Sequence, residues 1–345
     1  MIQVYIIHVR YRIMQHSKWQ TILQQTTDKP DVLVRDLGIA NELVLSENAN
    51  REFPIRATRR FIGKIRSHDP EDPLLRQIIP LANEEIQHPG FTADPLNEKN
   101  YMQVPGVLQK YHGRALLVVT GACAIHCRYC FRRQFPYNEN NPASENWKQA
   151  IAFLDKDPSI SEVILSGGDP LILADDRLTG LLHLLEQIPH LKRIRIHTRI
   201  PVVLPERIND ALETMLARCA KSIVIVIHVN HVNELDRDTA TAITRLKKTG
   251  AIVLNQSVLL RGINDTANDL VHLSEGLFAQ GVLPYYLHML DPVSGTGHFA
   301  VPENKARELL QELYERLPGY LVPRLVSEQP GARSKVPVEL HIPGP

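Results

Sequence analysis

Six short runs of β-branched and other apolar residues recur along the second part of the chain, and each precedes a segment with helical character. The runs start about 30 residues apart, which is the repeat of strand–helix units that build a parallel sheet. Eight such units would close a full barrel, so six predict an α/β fold with a partial (β/α)6 barrel. The predicted strands are residues 115–120, 162–166, 193–198, 222–228, 251–258 and 283–289.

The chain before these units has a different pattern. From residue 17 to about residue 105, short amphipathic segments alternate with prolines, and no pattern typical of catalytic residues occurs. We therefore predict an N-terminal helical and loop region, residues 1–105, that forms a collar on the barrel of residues 106–345. The apolar run after Met1 is short and lacks a small-residue cleavage site, so it does not predict a signal peptide. Translation from Met14, with Ser17 capping the first helix, is the simpler interpretation.

The composition restricts the function classes. The 345 residues are 43% hydrophobic and 22% charged, and the net charge of +1 gives no strong field that favours nucleic acid or an acidic membrane. No stretch approaches the roughly 20 apolar residues of a membrane-spanning helix. The 4 cysteines do not make a disulfide framework, and reduced thiols predict a cytoplasmic protein.

Polar residues collect at the carboxyl ends of the predicted strands, where barrels of this kind place their active sites. A lone polar residue at a strand end is usually structural, but six groups on one rim favour an active site. The groups are the cysteines after the first strand, residues 166–169 after the second, 197–199 after the third, His228 ending the fourth, Asn255 and Gln256 in the fifth, and His288 with Asp291 after the sixth.

Three cysteines, Cys123, Cys127 and Cys130, form a C-x3-C-x2-C motif directly after the first predicted strand. A cubane iron–sulfur cluster normally takes four thiolates, so three would leave one iron open for chemistry. Structural zinc usually needs four ligands in two spaced pairs, and a disulfide would leave one thiol unpaired. These alternatives fit less well but stay open. Cys219 lies in a helix-like segment and is interpreted as a small buried apolar residue.

The cysteine motif, together with Gly-Gly-Asp after the second strand, resembles the radical S-adenosylmethionine (SAM) enzymes, in which the open iron binds SAM. Five stretches narrow the resemblance to the lysine 2,3-aminomutase subgroup: residues 130–133, 165–171, 194–202, 255–265 and 331–337. Bare glycine backbone allows a ligand to approach closely, and N–H groups in a tight turn can bind it. The SAM-binding residues implied by the resemblance are Ser166, Gly167, Gly168, Asp169, His228 and Gln256.

The same subgroup uses pyridoxal 5′-phosphate (PLP). Lys335 matches the lysine that holds the PLP aldehyde, although residues 332–334 replace most of the glycines that precede it in relatives. The resemblance also places Lys110, Tyr111 and Arg114 beside PLP, with the two cations near its phosphate. Without the resemblance, Lys335 is more simply a solvated side chain, and Arg114 an ordinary charge at the start of a strand.

The resemblance implies a substrate site as well. Arg132 matches the arginine that binds the substrate α-carboxylate, with its neighbour Arg133 as the alternative. Asp291 and Glu328 match two carboxylates that bind the distal ammonium of lysine, which needs such partners when it is buried. Relatives have aspartate where Glu328 stands, and a surface carboxylate is its simpler interpretation without the resemblance.

The implied reaction is isomerisation of free L-α-lysine to (R)-β-lysine through a 5′-deoxyadenosyl radical, with a [4Fe–4S] cluster, SAM and PLP as cofactors. An electron donor such as flavodoxin or ferredoxin is implied too. The chain ends ten residues after Lys335, as in the shorter bacterial branch whose product passes to a ligase that modifies elongation factor P. An aminomutase for another amino acid such as arginine, and a non-catalytic iron–sulfur or zinc protein, are the alternatives.

Overall fold

The computed structural model describes residues 18–137 and 147–340, so Met14 and Ser17 lie outside the described residues. Ten strands form one sheet whose spatial order follows the chain order. The strands are β1 (Met102–Val104), β2 (Val107–Leu108), β3 (Arg114–Thr120), β4 (Glu162–Gly167), β5 (Arg193–Thr198), β6 (Ser222–His228), β7 (Ile252–Val258), β8 (Leu283–His288), β9 (Arg324–Ser327) and β10 (Val336–Pro337).

The six predicted strands are β3 to β8, and their bounds differ from the prediction by at most one residue. They pair in parallel, each with the next. A seventh parallel strand, β9, pairs with β8 and escaped prediction because its 4 residues are too few to show periodicity. β1, β2 and β10 add antiparallel edges, and the described β1 and β10 do not pair with each other. The partial barrel is therefore confirmed.

Helices in the connections cover the sheet. α6 shows why they do so: Leu178, Leu181, Leu182 and Leu185 recur at helical spacing and are all buried. The helices are α1 (Lys18–Gln24), α2 (Pro30–Asp36), α3 (Glu47–Glu52), α4 (Arg59–Ile62), α5 (Lys148–Lys156), α6 (Asp175–Glu186), α7 (Ile200–Val203), α8 (Asp210–Arg218), α9 (Arg237–Lys248), α10 (Ala267–Ala279) and α11 (Glu303–Arg316). In the described ranges, none of them combines the length and the apolarity that a bilayer span needs.

The N-terminal region packs directly on the barrel. Its residues Phe61, Leu74 and Ile78 belong to the same apolar core as Leu117 of β3 and Leu165 of β4. The predicted boundary at residues 105 and 106 falls in the turn between β1 and β2, which pair as a hairpin. The division into a collar and a barrel stays a proposal, but the shared core ties the collar to the rim that carries the polar residues.

Candidate active site

The carboxyl ends of the seven parallel strands open into one cavity of about 1130 Å³. This lies slightly above the roughly 300–1,000 Å³ of a typical pocket for one small molecule. Every residue predicted from the sequence as a site residue lines it: Lys110, Tyr111, Arg114, Cys123, Cys127, Cys130, Arg132, Ser166, Gly167, Gly168, Asp169, His228, Gln256, Asp291, Glu328 and Lys335.

The three clustered cysteines lie on the loop after β3, at one end of the cavity, and all are free thiols. Burial raises the pKa of the Cys123 thiol, and it raises the pKa of Cys130 to about 11. Bare thiolates are therefore disfavoured there. A positively charged metal centre would reverse that preference, because thiolates are its ligands.

The number of clustered thiols fits a cluster better than it fits zinc. A cubane with one open iron takes three thiolates, whereas structural zinc usually takes four ligands. Cys219, predicted to be buried, is half-buried; it packs against the apolar core and does not line the cavity. The donor set fits an iron–sulfur cluster with one open iron.

Residues of the collar hold the cysteine loop in place. Arg128, between two of the cysteines, is fully buried and donates to both oxygens of Glu84, at 2.8 and 2.6 Å. The backbone N–H of Arg128 donates to the Gln77 carbonyl at 2.8 Å, and that of His126 to the Arg56 carbonyl at 2.9 Å. The sequence analysis found no functional residue in the collar, because these partners lie in loops without a periodic pattern.

A buried arginine also contacts a cysteine sulfur. Arg199 Nη1 donates to Cys127 Sγ at 2.8 Å, while Arg199 Nη2 pairs with Glu234 at 2.9 Å. The side chain of Arg199 is only 6% exposed and that of Glu234 is not exposed. Arg199 thus has both a thiol and a carboxylate partner, while its buried Nε has none among the described residues.

Two glycines bring the end of β4 against the cysteine loop. A Cβ on Gly167, whose φ is +108°, would lie 2.6 Å from the Thr120 carbonyl oxygen, and one on Gly168 would lie 2.2 Å from that of Ala122. The N–H groups of Gly168 and Asp169 donate to these same carbonyls, at 2.6 and 2.9 Å. The glycines are therefore needed for close packing of two chain segments. Because these two N–H groups are already bonded within the fold, contact of Gly167 and Gly168 with SAM stays a prediction.

The remaining predicted SAM contacts surround this junction. Asp169 is buried and accepts from the Thr198 hydroxyl and the Arg199 N–H, both at 2.7 Å, and burial raises its pKa to about 6. His228 and Gln256 are register partners on neighbouring strands. Desolvation lowers the pKa of His228 to about 4, so its ring is neutral near pH 7. A neutral ring and an amide can each donate and accept hydrogen bonds to a polar ligand.

At the other end of the cavity, one carboxylate holds three groups. Glu328 pairs with the Lys335 ammonium, with Lys110 Nζ at 3.1 Å and with the Tyr111 hydroxyl at 3.0 Å. Burial alone would raise the pKa of Glu328, but Lys335 and Lys110 outweigh it and lower this pKa to about 2. Glu328 is therefore an interior anion and not a surface carboxylate.

The same end has cationic groups that fit a phosphate. Arg114 lies over the Tyr111 ring at 5.0 Å, and its buried Nε has no hydrogen-bond partner among the described residues. Two lysines share the single carboxylate of Glu328. An unpaired guanidinium nitrogen and a second lysine, beside Lys335 and an aromatic ring, suit PLP. Arg333, two positions before Lys335, is exposed and does not line the cavity.

Two further predicted substrate residues face the cavity. Asp291 follows β8, and burial together with the Glu328 charge raises its pKa to about 7. Arg132 pairs with Glu98, a collar residue that the sequence analysis missed, and donates to Ser166 Oγ at 3.2 Å. Arg133 instead binds Glu84 at 2.9 Å and does not line this cavity. The geometry therefore favours Arg132 over its neighbour for contact with a ligand.

Comparison with known proteins agrees with this site. The Radical SAM superfamily matches residues 117–273. The chain is 47% identical over 326 residues to the L-lysine 2,3-aminomutase of Escherichia coli strain K12, covering 94% of this chain and 95% of that protein. The Haemophilus influenzae L-lysine 2,3-aminomutase is 44% identical over 324 residues, covering 94% and 96%. The chain belongs to the lysine 2,3-aminomutase family.

Membership in this radical SAM family makes the chain an isomerase and implies a [4Fe–4S] cluster, SAM and PLP as its cofactors. The thiols at one end of the cavity and the lysines at the other fit those groups. Among solved structures, Streptococcus suis SuiB bound to S-adenosylmethionine aligns with a TM-score of 0.47 at 15% identity, covering 65% of this chain and 52% of that one. The chain thus spans about half the length of that protein.

Proposed function

We propose that this chain isomerises free L-α-lysine to (R)-β-lysine by means of a 5′-deoxyadenosyl radical and PLP. The observation that supports the proposal most directly is the single cavity that unites the cysteine loop with Lys335, which follows Cys130 by 205 positions. Two cofactor sites in one cavity suit a reaction in which a radical and a captured amine must meet.

The protein groups divide between the two cofactors. When bound, SAM on the reduced cluster supplies the radical that abstracts hydrogen, and PLP supplies the aldehyde that captures the substrate amine. We assign Cys123, Cys127 and Cys130 to the cluster. SAM is assigned to residues 166–169 with His228 and Gln256. The PLP site is assigned to Lys335, Lys110, Tyr111 and Arg114.

The residues assigned to lysine carry charges opposite to its two ends. Arg132 would bind the α-carboxylate through its planar guanidinium, and Asp291 with Glu328 would bind the distal ammonium. A substrate with a distal carboxylate would instead need cations there. In this assignment the protein orients the substrate between fixed charges and excludes water from the reacting carbon.

The partners are proposed from the same assignment. Reduction of the cluster needs a one-electron donor such as flavodoxin or ferredoxin. We propose that the β-lysine passes to a ligase that modifies elongation factor P, and that the protein works in the cytoplasm, where reduced thiols persist.

The decisive experiment is anaerobic incubation with SAM, PLP, a reductant and L-lysine, followed by chromatography of the products. We expect (R)-β-lysine to form, and Lys335→Ala to prevent its formation. Turnover of arginine in place of lysine would support an aminomutase of different specificity. A protein that binds iron but neither absorbs light as lysine-bound PLP nor converts any amino acid would contradict the proposal.

A further inference from the structure

A carboxylate of the protein itself binds Arg132. Arg132 Nε donates to one oxygen of Glu98 at 2.8 Å, and Arg132 Nη2 donates to the other at 2.6 Å. This is the paired arrangement by which a guanidinium recognises a carboxylate ligand. Glu98 therefore occupies one edge of the Arg132 guanidinium, which the proposed function assigns to the substrate α-carboxylate.

Little of Arg132 remains for a second anion. Its Nη1 donates to Ser166, and its side chain is 5% exposed, against 15% for Glu98. Burial alone would lower the pKa of Arg132, but the Glu98 charge outweighs it and raises this pKa. A substrate carboxylate that came to Arg132 beside Glu98 would share an already neutralised cation and would be repelled by a like charge.

The chain around Glu98 is attached to the loop that carries Asp291. The N–H of Thr92 donates to the Pro292 carbonyl at 2.9 Å, and the N–H of Ser294 donates to the Thr92 carbonyl at 2.9 Å. Glu98 itself begins a single turn of 3-10 helix, and Asp94 accepts its N–H at 2.9 Å. Its backbone is thus tied to the loop that carries Asp291, while its side chain pairs with Arg132.

We propose that Glu98 is an internal competitor of the substrate, which occupies Arg132 in the resting enzyme and is displaced by the α-carboxylate of lysine. The inference rests on the proposed function, because it needs Arg132 to receive lysine. Exchange of one carboxylate for another keeps the buried guanidinium paired throughout. A ligand without a free α-carboxylate cannot make this exchange and leaves the pair closed, so Glu98 lowers the affinity only of ligands that carry the carboxylate.

Equilibrium binding of L-lysine and L-lysinamide tests the proposal, with the enzyme loaded with cluster, SAM and PLP but without reductant. In Glu98→Gln the competing charge is gone, so lysine should bind about tenfold more tightly, in line with a charge-assisted hydrogen bond. Lysinamide, which leaves the pair closed in the native enzyme, should change less than about twofold. Glu98→Asp keeps the charge on a shorter side chain. Its lysine affinity should fall between those of the native enzyme and Glu98→Gln.

Several outcomes would overturn the proposal. Weaker lysine binding in Glu98→Gln would mean that Glu98 orients Arg132 and stays in place. An equal change for both ligands, or none, would mean that Glu98 does not sense the carboxylate. If Glu98→Gln lost iron or melted early, the lysine-to-lysinamide ratio in Glu98→Asp would decide. Glu71→Gln, which breaks a surface pair with Arg76, is the matched control.

Failure of the proposed function would look different from failure of this inference. If lysine is not the substrate, the native enzyme neither converts nor binds it. If only the role of Glu98 is wrong, the native enzyme handles lysine normally and the ratio between the two ligands stays the same in every Glu98 variant.

Discussion

The two ends of the cavity are built in opposite ways. At one end, the three cysteines come from a single loop, and the collar holds this loop through Arg128 and Glu84. At the other end, Lys110, Asp291 and Lys335 come from distant parts of the chain and meet around Glu328. A cluster site needs only local spacing, whereas a site for a zwitterionic ligand needs charges that the whole fold brings together.

The charge balance differs as well. Arg128 and Arg199, at the cysteine end, each have a buried carboxylate partner. At the Lys335 end, two lysines share Glu328. Each of the two arginines is therefore held by a different carboxylate, while the two lysines depend on one. Variants at the two ends should consequently fail in different ways.

The largest effect is expected at the Lys335 end. Lys335→Ala should abolish lysine turnover and remove the absorbance of lysine-bound PLP, because Lys335 is the lysine assigned to hold the aldehyde. The iron–sulfur absorption should remain, since the cluster is assigned to cysteines on a separate loop. Visible spectra and product chromatography check both points. Retained turnover with PLP attached to another lysine would refute the assignment.

At the cysteine end, substitution of a cluster cysteine should remove the cluster and leave PLP binding intact. Cys127→Ala should not assemble a stable cluster, whereas Cys219→Ala should keep about four irons per chain after anaerobic reconstitution, as a cubane requires. Iron analysis measures this, and PLP binding should persist in both variants. The ligand assignment would be wrong if Cys219→Ala lost its iron while Cys127→Ala kept it.

Substitution of Asp291 or Glu328, the carboxylates assigned to the distal ammonium, should weaken lysine binding without changing SAM binding. Removal of one partner of a buried ion pair costs about 3–5 kcal/mol, so Asp291→Asn should raise the lysine KM a hundredfold or more. Glu328→Gln should weaken the binding of both lysine and PLP, because Glu328 also contacts Lys335 and Lys110. Kinetics against each ligand separate these effects, with Glu71→Gln as a control. Unchanged lysine kinetics in both variants would contradict lysine as the substrate.

The smallest effect is a pH dependence. The Asp291 pKa is raised to about 7, so this carboxyl is mostly neutral below pH 7 and ionised above it. An ammonium binds the ionised form, so lysine affinity should fall as the pH drops through 7, by up to about tenfold per unit. Equilibrium binding between pH 5.5 and 8.5, roughly spanning this pKa, measures the slope. Asp291→Asn should lack this slope. If the variant showed the same slope as the native enzyme, the titration would belong to another group.

Sequence patterns were enough to predict the structure wherever the interactions that determine it are local or periodic. Strands β3 to β8 were predicted within one residue because parallel strands, covered on both faces, appear as apolar runs. The cysteine motif was recognised because its ligands lie within one loop. The strand-end rule then placed the polar residues on one rim, and the resemblance to the aminomutases supplied Lys335 and Glu328.

Only the tertiary structure decided which charges are paired. Arg132 and Glu98 are 34 positions apart, and Arg128 and Glu84 are 44 positions apart, in segments without periodicity. The tertiary structure likewise gave Gly167 and Gly168 a packing role, because the carbonyls that they approach come from the end of β3 and from the loop after it. The strength of an ion pair depends on the distance and burial of both partners. Sequence spacing specifies neither for residues in separate loops, so these pairings became visible only when the fold brought the loops together.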